Sequence, residues 1–129
     1  MYKHLFFIIC CLGAITVALG AFGAHGLKTR ADVATIAIFE TAVKYQFYHV
    51  FALLVVALLA QKKAIKFLEY AAYSFLIGIV LFSGSLYVLT YCKAMGYTQY
   101  SWLGAVTPFG GVAFIIGWIL LAFSGKKLS

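Results

Sequence analysis

The side chains in this sequence that could bind or transform anything are few: His25, Gln46, His49, Ser83, Ser85 and Thr107. Two histidines on neighbouring segments could ligate a metal ion or the iron of a haem. A serine beside a histidine could act as nucleophile and base, given an acid to orient the imidazole. Hydroxyls, an amide and an imidazole gathered in one place could instead hydrogen-bond an amphiphile, or simply one another.

The catalytic version needs an acid, and Glu40 is the candidate nearest His49. The two are nine residues apart, so on a helix they point to opposite faces. The expectation is a non-enzymatic protein with no catalytic residues. Cys10 and Cys11 are adjacent and Cys92 is far away, with no CxxC and no Cys/His cluster. They read as polarizable apolar filler, and neither a metal site nor a resident cofactor is expected.

The elements that position these residues follow from the composition. Of 129 residues, 65% are hydrophobic and 10% charged, with a mean hydropathy of +1.04. Crossing the hydrocarbon of a bilayer takes roughly 20 residues of helix. Four apolar stretches reach about that length, near 5–24, 42–60, 67–91 and 102–123. The fold class expected is all-α: a polytopic membrane protein, four transmembrane helices in a bundle, one domain over 1–129. Lys3, the apolar run and Ala18-Leu19-Gly20 resemble a cleavable leader. The run is nevertheless long enough to span, and is retained as the first helix.

Local signals refine this. Thr29 or Asp32 caps the second helix, and Glu40 pairs with Lys44 at i, i+4. Lys66 faces Glu69 at the start of the third span. Thr107-Pro108 kinks the fourth span or starts a new helix with Thr107 as its cap. Ala14, Ala18 and Ala21, and then Gly110, Ala113 and Gly117, form small stripes of the kind that let helices approach closely. These suggest tight packing within the subunit or between copies, so a homo-oligomer or a partner membrane protein is an expectation.

Depth follows from a rise of about 1.5 Å per residue. Counted from Gln61, His49 lies roughly 18 Å from the inner boundary, with Gln46 a turn further out. Ser83 and Ser85 lie roughly 25 Å from Phe67, and Thr107 about 8 Å below Trp102. Gln46, His49, Ser83, Ser85 and Thr107 therefore share the outer third of the bundle. His25 belongs to the outer rim, roughly 12 Å from His49 along the membrane normal, which weighs against a shared metal or haem. Such polar layers face the bundle interior. This one is either a clasp that holds helices together or a ligand pocket for a lipid, a quinone or a partner protein. A transport path would need an oligomer, because no carboxylate sits at mid-membrane and no inverted repeat is visible.

The net charge is +7, but the cations sit in small groups at the ends of apolar runs. That pattern anchors helices beside anionic headgroups, so membrane lipids are expected partners and nucleic acid is not. Lys3, Lys62, Lys63, Lys66, Lys126 and Lys127 share one side; Lys28, Arg30, Lys44 and Lys93 lie on the other, with Asp32 and Glu40. The bias places both termini in the cytoplasm, and puts Tyr97, Tyr100 and Trp102 in an outer aromatic belt.

LGAFGAHGL at 19–27, YQFYH at 45–49, LFSGSLY at 81–87 and WLGAVTPFGG at 102–111 resemble the bacterial domain-of-unknown-function 423 family. That family is similar to a small mitochondrial transmembrane protein of animals. The resemblance covers almost the whole chain, with Phe109 standing where an aliphatic residue is expected. It implies a four-helix protein of the bacterial inner membrane, and it brings no activity or catalytic residue with it.

Overall fold

The computed structural model describes residues 2–129. The long helices are α1 (Tyr2–His25), α2 (Val33–Lys62), α3 (Lys66–Gly78), α4 (Gly84–Ala94) and α5 (Thr107–Leu128). A π-helical turn, Ile79–Ser83, joins α3 to α4 without a break. The result is four membrane-length apolar rods, and with four crossings both termini lie on one face. The architecture is the all-α membrane bundle that the composition implies.

α2 is a single helix of 30 residues. Asp32 is its cap, accepting from the Thr35 backbone N–H at 2.8 Å; Thr29 instead donates its hydroxyl to the Gly26 carbonyl. Glu40 and Lys44 do not pair: the one ion pair among the described residues is Lys66–Glu69 at 3.3 Å. Lys66 is exposed and Glu69 partly so, and at such a site the Coulomb gain barely offsets the entropy of holding two long chains together. Thr107 starts a new helix but does not cap it. A 3-10 turn at Ser101–Ala105 leads in, Val106 takes the cap position and Pro108 follows in the first turn. The Thr107 hydroxyl is engaged elsewhere, as described below.

The middle rods form the core. Of their most apolar windows, 44% of α2 and 50% of α3–α4 is buried, against 11% for α1 and 17% for α5. Leu53, Val56, Leu68, Ala71, Phe75 and Phe114 pack at the centre. Since lipid is as apolar as leucine, this packing is held by close contact rather than by escape from water. The glycines make the contact possible. Gly117 receives the Phe75 ring, and Gly78 receives that of Phe114. Gly110 lies against the backbone of Phe82 in the π turn, where a Cβ would come within 2.7 Å of the Phe82 Cα. The small stripe of α5 is thus used inside the subunit. On α1 the packed face is Ile9, Thr16 and Gly23, with Gly13 and Gly20 opposite Val50 and Val43. Ala14, Ala18 and Ala21 lie on the exposed side.

Candidate functional site

Gln46, Ser83, Ser85 and Thr107 are each held by an identifiable partner. At the α1–α2–α4 junction Gln46 donates its amide to Thr16 Oγ1 at 2.7 Å and accepts the Tyr87 hydroxyl at 2.6 Å. Thr16 in turn donates to the Leu12 carbonyl. Ser83 donates to the Ala42 carbonyl of α2 at 2.8 Å. Ser85 and Thr107 share a hydrogen bond of 2.7 Å, which ties α4 to the start of α5. No buried side-chain nitrogen or oxygen among the described residues lacks a partner. These groups therefore link all four rods within the subunit.

The π turn is what aims them. It adds a residue to one turn, so everything after it is rotated relative to a regular helix. Gly84 donates to the Ile79 carbonyl, five residues back. Ser83 then faces α2 and Ser85 faces α5.

His49 is held differently. Its Nδ1 meets the Tyr45 carbonyl at 2.6 Å, and a carbonyl only accepts, so Nδ1 carries the proton. Nε2 accepts the Trp118 indole N–H at 3.2 Å. The imidazole is therefore the neutral Nδ1–H tautomer with both nitrogens engaged. It lies flat on Phe114, with ring centres 3.5 Å apart and planes 4° off parallel. Phe75 and Tyr45 complete the surround.

Beside His49, a groove of about 580 Å³ opens between α2 and α5. Tyr45, Tyr48, Phe82, Gly111, Phe114, Ile115 and Trp118 line it with His49. Tyr45 is 39% exposed, Tyr48 54% and Trp118 48%, so the groove faces the lipid. Among the described residues neither tyrosine hydroxyl has a hydrogen-bond partner in the protein.

His25 stands apart, exposed at the last residue of α1. Among the described residues no three of His, Cys, Asp and Glu gather into a metal cluster. Thr16, Tyr87 and Trp118 are the members that sequence reading missed. Each looks like an ordinary span residue. Only Gln46 and His49, polar side chains with two groups to satisfy, signalled that partners had to exist on other helices.

Fold and polar layer together define a polytopic α-helical membrane protein whose rods are tied by buried hydrogen bonds. The family model described as "Protein of unknown function (DUF423)" matches residues 19–111. The chain belongs to that family. It is 46% identical over 125 residues to the UPF0382 membrane protein YwdK of Bacillus subtilis, covering 93% of this chain and 97% of that one. A UPF0382 membrane protein of Haemophilus influenzae is 41% identical over 120 residues, with 93% and 91% covered. The UPF0382 membrane protein SAB0533 of Staphylococcus aureus is 40% identical over 126 residues, with 97% and 98% covered. No solved structure matches the chain.

Proposed function

We propose that this is a non-enzymatic protein of the bacterial inner membrane that holds a ring-bearing amphiphile of the quinone class in the groove beside His49. The observation that carries the reading is the make-up of that groove: aromatic walls, access from the lipid, and two exposed tyrosine hydroxyls without protein partners. A planar ring can stack on Trp118, which is 48% exposed, and such ring pairs contribute about 0.5–1.5 kcal/mol beyond their buried area. A hydroxyl facing hydrocarbon is costly unless it finds an acceptor. A ligand carbonyl supplies one for Tyr45 or Tyr48. A plain acyl chain offers neither the flat ring nor the carbonyl at that depth.

The same geometry supports the absence of catalysis. Ser83 and Ser85 are committed to Ala42, Phe82 and Thr107, and both nitrogens of His49 are occupied. Glu40 is exposed on α2. The lysines near both termini support a cytoplasmic placement of the termini.

The test is the organic extract of protein purified gently from its own membrane. The reading expects a quinone in near-stoichiometric amount with the wild type and at least tenfold less with Ile115→Trp. Ile115 is 60% exposed, so the larger ring fills the groove without disturbing the core. Phospholipid alone in the extract, or equal quinone from both proteins, would overturn the reading.

A further inference from the structure

A second groove of about 580 Å³ lies at the opposite face from the termini, away from His49. Phe22, Leu27, Phe39, Tyr87, Tyr91 and Met95 form its apolar walls, and Arg30 stands at its edge. It is a gap between the end of α1, the connector to α2 and the end of α4. We infer that it is a binding site for one anionic glycerophospholipid, with an acyl chain between the aromatic walls and the phosphate on Arg30.

Three features select that occupant. The first is charge. Arg30 forms no ion pair, since the one ion pair among the described residues is Lys66–Glu69. With Lys28, Lys44 and Lys93, Arg30 gives this face four cations against the two carboxylates of Asp32 and Glu40. A guanidinium presents a fork of donors that matches phosphate oxygens. The second is depth. Arg30 lies in the connector between two rods, where a headgroup would be, and the walls run inward from it along α1 and α4. The third is the polarity of the walls. Tyr87 donates to Gln46, and Thr90, also in the lining, donates to the Leu86 carbonyl. With those protons committed, the inner part of the groove suits a hydrocarbon chain, and Arg30 and the hydroxyl of the exposed Tyr91 are the donors left for a ligand. A zwitterionic lipid carries an ammonium group that offsets the attraction, so net negative charge sets the preference.

Native mass spectrometry of the full chain, offered equal amounts of phosphatidylglycerol and phosphatidylcholine in mild detergent, tests this. The wild type should keep one phosphatidylglycerol at least fivefold in excess over phosphatidylcholine. Arg30→Gln should bring the ratio close to one. Ala94→Phe, which narrows the groove and leaves Arg30 in place, should reduce the retention of both lipids. A wild-type ratio near one, or a ratio unchanged in Arg30→Gln, overturns the assignment of the headgroup. Undiminished retention in Ala94→Phe overturns the assignment of the groove. Arg30 is exposed in a connector and leaves the core packing intact when replaced, so each result reads binding rather than folding.

Discussion

Tyr87 shows how a single hydroxyl holds helices together. Its proton goes to Gln46, and Gln46 passes one of its own to Thr16. Removing the hydroxyl leaves a buried amide oxygen unmatched. Tyr87→Phe should therefore destabilise the protein in detergent by about 1 kcal/mol, within the range of interhelical hydrogen bonds in membranes. In a Gln46→Leu background the same change should cost close to nothing, and a double-mutant cycle measured by reversible unfolding reads the difference. Asp32 gives a pH-dependent case outside the membrane. The Thr35 hydroxyl and backbone N–H hold its carboxyl below the usual carboxylate value. The folded state thus binds this proton more weakly than the unfolded chain does. The cap contributes fully above the ordinary carboxylate value and is lost as pH falls through the lowered one. Hydrogen-exchange protection of the Thr35 amide, corrected for intrinsic rates, should persist into mild acid, fall only below the ordinary value, and lose this pH dependence in Asp32→Asn.

At the scale of elements, the decisive contact is α5 on the α3–α4 rod. Gly110 and Gly117 admit Phe82 and Phe75 at distances that leave no room for a Cβ. Gly110→Ala must move backbone against backbone, and should cost about 1–3 kcal/mol as an over-packed site. Gly104→Ala and Gly125→Ala, where a Cβ meets nothing within 4 Å, should leave the unfolding midpoint within error of the wild type. The number of apolar rods was legible from hydropathy, and the need of Gln46 and His49 for partners on other helices from their polarity. The Lys66–Glu69 pair was legible from spacing. The π turn was not, because no residue type encodes it; it accompanies the close approach of Gly110 to Phe82. Thr107 looked like a cap because threonine suits that position, but a bond to Ser85 from another rod took its hydroxyl. Glu40–Lys44 had the spacing of a pair, but the two side chains do not meet. Deleting one residue within Ile79–Ser83 should restore regular helix and turn everything after it by roughly 100°. That should separate Ser85 from Thr107 and Tyr87 from Gln46, and the protein should lose its compact form in detergent.

The whole molecule is a set of rods tied by hydrogen bonds between helices, with grooves between the rods on its surface. Its orientation is open to a direct check in a background without cysteine. A thiol introduced by Thr98→Cys should react with an impermeant maleimide on intact cells, and one introduced by Ser129→Cys only after permeabilisation. The reverse pattern would put the termini outside. The central claim is that the polar layer is a clasp and the His49 groove is the ligand site. Of the two tryptophans, Trp118 lines that groove, and Trp102→Phe leaves it as the sole reporter. Titrating this variant with a short-chain quinone in detergent is the measurement to make. Saturable quenching of Trp118, reversed by a long-chain quinone and untouched by phospholipid, is the result predicted. Linear quenching, equal to that of a free indole in the same micelles, would contradict the account.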